Sequence, residues 1–353
     1  MKSLYCGACG ARVYFQNSVC LSCHCSLAFD LEEAEMVAIS GPKANADFKL
    51  CKNGVDYGNC NWAIRANSES EYCQSCSLTE VIPDVGQPEY LKAWGKLEEA
   101  KRRLVCNLDH LGLRPVLKSD ENPEGLAFRF LADSKKAGEP RVLTGHDDGV
   151  VTVNIAEADD VERERMRLAM NERYRTLVGH LRHEVGHYYW DRLVVGEQLE
   201  AFRRLFGDES ADYAEALQAH YAKGVTADWQ ESFISAYAAA HPWEDWAETW
   251  AHYLHMMDSL GTACHSKIRM KGAKPEDPVF NYAEIDLRSF DSIIRNWPGL
   301  ACMINSFNRS LGMSDAYPFV IQPRVVEKLR FIHELMPFLL EEEEPSVADV
   351  AED

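Results

Sequence analysis

Hydrophobic positions along this chain change period twice. In residues 88–113, PEYLKAWGKLEEAKRRLVCNLDHLGL, Leu91, Trp94, Leu97, Leu104 and Leu108 fall on one side of a helix of about 23 residues. Three short apolar runs follow: Leu126–Leu131, Arg141–Thr144 and Val150–Ile155. Gly, Asp and Lys turns divide them, and they read as strands. After Asp159 the period returns to helical almost to the end. The run TLVGHLRHEVGHYYWDRL, residues 176–193, reads as one long helix. Residues 241–256, HPWEDWAETWAHYLHM, predict another, with Trp243, Trp246, Ala247, Trp250 and Leu254 as its apolar surface and Pro242 near its start.

The helical and strand patterns begin only after Ile82-Pro83-Asp84, and what precedes them is rich in cysteine. We therefore expect an α+β chain: a Cys-rich module over residues 1–82, then a mainly helical domain with a small sheet over 83–340. Residues 341–353, EEEEPSVADVAED, carry seven acidic side chains and no basic ones, which predicts a solvated, disordered tail.

At 353 residues and 46% hydrophobic content, the chain can support two cores. No apolar run reaches the roughly 18–20 residues of a membrane span. With 37 basic against 56 acidic residues the net charge is −19, which repels nucleic acid and anionic membranes. Residues 1–80 share the bias, with six Lys or Arg against nine Asp or Glu. Neither nucleic acid nor a membrane is therefore an expected partner.

Nine of the twelve cysteines lie in the first 76 residues. Cys6-x2-Cys9, ten residues, then Cys20-x2-Cys23 is the spacing of a zinc ribbon, two knuckles gripping one ion. Cys51, Cys60, Cys73 and Cys76 form a second set of four, of which only the last two make a Cys-x2-Cys pair. One or two structural zinc ions are expected. His24 and Cys25 stand beside Cys23 as competing ligands or spare residues. The start, MKSLYCGACG, has no apolar stretch of a signal peptide. We therefore expect thiolate-bound zinc in a reducing cytoplasm rather than disulfides. Cys106, Cys264 and Cys302 stand alone and read as small core residues.

The sharpest chemical signal is His183-Glu184-Val185-Gly186-His187, an HExxH motif inside the predicted helix. Histidines at i and i+4 share a helical face and can reach one zinc ion, and the glutamate between them is placed to polarise a water. A catalytic zinc usually takes three protein ligands. The pattern that extends HExxH with Gly and His at 190 and 193 is excluded, because Trp190 and Leu193 stand there. Glu244 and Glu248, four apart in the tryptophan-rich helix, supply the alternative. We expect Glu244 as the third ligand and Glu248 hydrogen-bonded to a ligating imidazole, with the reverse assignment open.

The pair of segments HEVGH and EDWAE resembles the glutamate-zincin clan of metallopeptidases. The second segment is similar to that of lethal-factor-type and proline-specific bacterial zincins. The paired cysteines, VLTGHDDGVVTVNIAEADD, GHLRHEVGHYYWDRL and AHPWEDWAETWAHYLH together resemble a bacterial metallopeptidase family with an N-terminal zinc ribbon, over residues 1 to about 320. The resemblance implies a zinc metallopeptidase acting on a peptide or protein, with Glu184 as general base and Glu244 on the metal. In the clan a tyrosine seven residues before that glutamate stabilises the oxyanion, which here is Tyr237. Strands followed by the HExxH helix is the order of a zincin's upper lobe, and VVTVNI is then the expected edge along which an extended peptide adds. The competing class is a catalytically silent, zinc-stabilised docking scaffold.

Other histidines carry weaker expectations. His180 reads as a helix-surface residue, with a contact near the metal as the alternative. His241 is a cap or loop residue, or approaches the site. Of His252 and His255, at most one faces the metal. Asp191 either orients His187 or is solvated. His146-Asp147-Asp148-Gly149 reads as a turn before a strand. Substrate identity and oligomeric state are not encoded in any of these patterns.

Overall fold

The computed structural model describes residues 2–337 apart from 135, 137, 139, 170–175, 273, 275, 276, 318 and 319, so the acidic stretch 341–353 lies outside the described residues. The chain is α+β, a Cys-rich zinc-ribbon region followed by a mainly helical part with small sheets. The ribbon region is built from three two-stranded antiparallel sheets: Leu4–Tyr5 with Arg12–Val13, Leu27–Asp30 with Glu35–Ala38, and Phe48–Leu50 with Ala63–Arg65. Strands this short bury little on their own. Phe15 meets Phe29 and Trp62 edge-to-face, Phe29 and Trp62 lie tilted at 5.6 Å, and the three supply the apolar centre.

The predicted long helix forms at Pro88–His110, with Trp94, Leu97, Leu104 and Leu108 fully buried and Leu91 partly so. It also ties the ribbon down. Arg102 donates to the Asn59 carbonyl at 2.6 Å. Glu98 and Lys101 make a buried pair at 2.9 Å, and Glu98 accepts from the Thr79 hydroxyl at 2.8 Å.

Thr79–Val81, just beyond the last cysteine, is itself a strand of the larger sheet. That four-stranded sheet runs Thr79–Val81, Ala127–Leu131, Val150–Asn154, Gly145–Asp147, with the first three parallel and the last antiparallel. The sheet differs from the expected one in two places. Residues 141–144 are not a strand; the strand is Gly145–Asp147. Val150–Asn154 is not an edge, because it is paired on both sides, and Gly145–Asp147 takes the edge instead. The reason is the turn. Asp148 and Gly149 both have positive φ, 43° and 74°, so Asp147 pairs directly with Val150 in a two-residue hairpin.

Behind the sheet the HExxH helix, Leu177–Leu193, packs on the helix Pro242–His265. Gly186 makes their close approach possible: a Cβ there would lie 3.0 Å from Trp250 Cδ1 and 3.2 Å from Ala247 Cα. Trp246 Nε1 donates to the Gly186 carbonyl at 2.8 Å, locking the two helices in register. Helices Glu197–Phe206, Phe290–Ser310 and Pro323–Glu334 complete the shell. Lys328 of the last reaches Asp245 in a buried ion pair at 2.5 Å.

Candidate active site

Capping fixes where each metal-site helix begins. Thr176 accepts from the Gly179 N–H at 3.0 Å, starting the first helix two turns before His183. His241 caps the second: its Nδ1 accepts from the Trp243 N–H at 3.1 Å, and Pro242 follows in the first turn. Capping is thus the role the structure gives His241. Glu244 lands in that first turn, 1% exposed, facing the histidines.

The side chains converge as their spacing implied. The His183 and His187 rings lie 5.0 Å apart. Glu244 Oε2 is 3.0 Å from His183 Nε2, and Oε1 is 3.8 Å from His187 Nε2. All three ligand atoms fall within 4.8 Å of one another. Glu248 Oε1 sits 2.7 Å from His183 Nδ1, which keeps that proton on Nδ1 and turns the Nε2 lone pair towards Glu244. A lone pair and a carboxylate oxygen at 3.0 Å need a proton or a metal ion between them. Apart from His183, Glu244 Oε2 is buried with no hydrogen-bond partner. Two imidazoles and a carboxylate are a zinc donor set, so these residues fit the metal.

The same close carboxylates govern the charge of His183. Burial works against an ionised His183, but Glu244 and Glu248 outweigh it and hold its pKa well above the usual value. Burial lowers that of His187. Glu184 is 5% exposed; burial opposes its charge, yet the hydrogen bond from His180 and the surrounding histidines bring its pKa to about 2. Glu248 is likewise brought to about 2, against burial, by its bond to His183.

Glu184 opens into a cleft of about 380 Å³ shared with His183, His187, Glu244, Tyr237 and the edge strand. Tyr237, on a single 3₁₀ turn at Tyr237–Ala240, lies with its ring 6.0 Å from His183, and burial raises its pKa. None of the residues lining the cleft comes from the Cys-rich region.

Four residues enter that were underestimated or missed. His180 is not a plain surface residue: its Nε2 is 3.0 Å from Glu184 and its Nδ1 2.5 Å from Glu157. Burial opposes its protonation, but the two carboxylates raise its pKa to about 9. Its i, i+4 relation to Glu184 was a usable signal; Glu157 had none. Tyr213 donates its hydroxyl to Glu244, a contact across 31 residues that no local pattern announces. His146 lines the cleft with its ring 6.2 Å from His187, and burial lowers its pKa to about 4. Asp191 also lines the cleft, whereas His252 and His255 do not. His252 meets the Tyr317 hydroxyl, and His255 pairs with Arg182 at 2.5 Å.

Both cysteine sets assemble without disulfides; all twelve thiols are free. Cys6, Cys9, Cys20 and Cys23 form one group, and Cys51, Cys60, Cys73 and Cys76 the other, each with its sulfurs within 4.8 Å. In the second set backbone N–H groups donate to sulfur, Cys73 to Cys51 at 3.3 Å and Trp62 to Cys60 at 3.4 Å, as they do where thiolates hold a metal. Cys25 lies 3.5 Å from Cys6 and 3.4 Å from Cys23 as a fifth thiol beside the first set.

Site and fold together define a protein with a zinc-ribbon region and, beyond it, a cluster of two histidines and a glutamate able to hold a metal ion. The chain belongs to the family described as "putative zinc-binding metallo-peptidase", which matches residues 90–335, and a zinc-ribbon domain matches residues 3–87. Its relatives include uncharacterized proteins of Mycobacterium bovis and of two strains of Mycobacterium tuberculosis. Each is 42% identical over 349 residues, covering 98% of both chains. No solved structure matches it. No helix among the described residues is long and apolar enough to cross a membrane.

Proposed function

We propose that the chain is a zinc-dependent peptidase cutting peptide bonds in an extended segment of a peptide or protein. What carries this reading is the convergence of His183, His187 and Glu244 beside a buried Glu184 in one open cleft. His183, His187 and Glu244 hold the catalytic zinc, and each four-cysteine set holds a structural one. Bound there, zinc supplies Lewis acidity next to Glu184. Glu184 takes the proton from the attacking water and returns it to the leaving amine. Tyr237 donates to the oxyanion that develops on the scissile carbonyl. Glu248 keeps His183 in the tautomer that presents Nε2.

Among the described residues the edge strand Gly145–Asp147 is paired only with Val150–Asn154, and it borders the cleft, so it suits an incoming strand. Main-chain pairing there brings a scissile bond alongside Glu184 and Tyr237. The test is cleavage of a random-peptide library by wild type and by Glu184→Gln. We expect zinc to stay bound in the variant and turnover to fall by about 10²–10⁴-fold or more. Equal cleavage by the two proteins would refute the assignment.

A further inference from the structure

We propose that His180 is a positioning residue for the general base, the middle of a Glu157–His180–Glu184 chain that aims the Glu184 carboxylate into the cleft. The inference rests on the reading of Glu184 as that base. His180 stands one turn before Glu184 on the same helical face, with Nε2 3.0 Å from Glu184 Oε1. Its other nitrogen, Nδ1, lies 2.5 Å from Glu157 Oε2. Glu157, 3% exposed, sits on the 3₁₀ turn Ile155–Ala158 that follows the central strand. Its second oxygen accepts from the Thr144 hydroxyl, and Thr144 Oγ1 accepts from the Asn154 N–H at 3.0 Å.

Both oxygens of Glu157 are thus occupied, and the chain ends on the backbone of the sheet. Glutamate has three rotatable side-chain bonds, and a base works only within hydrogen-bond reach of the proton it removes. A ring held at both nitrogens restrains one Glu184 oxygen and leaves the other for the cleft. Thr144 lines the same cleft at the start of the edge strand, so the general base and the peptide-facing edge share one anchored frame.

The experiment uses the full-length, zinc-loaded protein. Wild type, His180→Leu, His180→Gln, Glu157→Gln and Glu184→Gln are compared by kcat and KM on a library-selected peptide, by melting temperature and by zinc content. Calorimetric affinity for acetohydroxamate, whose hydroxyl proton passes to the base, is read in parallel. His180→Leu is expected to lower kcat by about ten- to a hundredfold, with KM and zinc content near wild type; its melting temperature falls as well, because the buried Glu157 carboxylate loses its partner, so kcat is read well below that temperature. His180→Gln, which can still donate one N–H to Glu184, recovers part of the loss. Adding Glu157→Gln to His180→Leu costs nothing further, because one chain has been cut twice. Hydroxamate binding weakens in His180→Leu, and does not weaken further when His180→Leu is added to Glu184→Gln.

Wild-type kcat and hydroxamate affinity in both His180 variants would overturn the proposal. So would a loss that follows zinc content or KM. The reading of Glu184 as base fails separately, if Glu184→Gln itself cleaves and binds hydroxamate like wild type.

Discussion

Gly186, the small residue inside HExxH, sets how closely the two metal-bearing helices pack, and Gly186→Ala isolates that contact. A Cβ at this position would meet Trp250 Cδ1 at 3.0 Å, Ala247 Cα at 3.2 Å and Trp250 Cγ at 3.3 Å. None of these atoms can yield easily. Trp250 is fully buried and stacks between Tyr189 at 5.1 Å and Trp246 at 5.7 Å, while Ala247 offers backbone. Alanine gains about 1 kcal/mol of helix propensity over glycine. Overpacking a filled interface costs about 1–3 kcal/mol. The net is a loss of about 1 kcal/mol, delivered where Glu244 stands one turn before Ala247. Pushing the helices apart by a few tenths of an ångström is therefore also expected to weaken zinc binding at His183, His187 and Glu244.

Gly261 is the internal control. It lies on the same partner helix with no heavy atom within 4 Å of its would-be Cβ, so Gly261→Ala gains about 1 kcal/mol with zinc unchanged. Urea unfolding of the zinc-loaded variants, with zinc affinity by competition against a chelator, reads both effects. If Gly186→Ala is as stable as Gly261→Ala and holds zinc equally well, the packing argument is wrong.

Two further perturbations probe the frame around the site. Lys328→Met strands the Asp245 carboxylate, whose side chain is 1% exposed and whose neighbour is Glu244; a loss of about 3–5 kcal/mol is expected, and Asp245→Asn in the same chain should restore most of it, as read by urea unfolding. Burial raises the Cys106 thiol to about 12, so the native protein holds it neutral where an unfolded chain at pH 8 exposes reactive thiolate. Mass spectrometry after maleimide treatment at pH 8 should find Cys106 unmodified until the chain is unfolded, and labelling of the native protein would contradict its burial.

Much of the site was legible because its chemistry is local. His183 and His187 are one turn apart, Glu244 and Glu248 one turn apart, and periodicity alone puts each pair on a face. The helix Pro88–His110 was equally clear, since a strong 3.6-residue period and a proline at its start point the same way. The strands were harder. Val142 and Leu143 have the composition of a strand, but the hairpin register is set by Asp148-Gly149, whose left-handed backbone makes Asp147 and Val150 opposite partners. Taking that Asp-Gly pair as the centre of the hairpin would have put His146 on the edge strand rather than in a turn. Thr79–Val81 is too short to carry a period of its own. Tyr213 and Glu157 reach the site through tertiary contacts with Glu244 and His180, and nothing near them in sequence foretells either partner.

If the proposed function holds, Glu244 completes a catalytic zinc site alongside two structural ones. Zinc stoichiometry by elemental mass spectrometry, on wild type and Glu244→Ala side by side, addresses it most directly. Three zinc ions per chain are expected in wild type and two in the variant. Equal counts in both proteins would mean that Glu244 does not hold the metal, and the chain would then be better described as a zinc-stabilised scaffold.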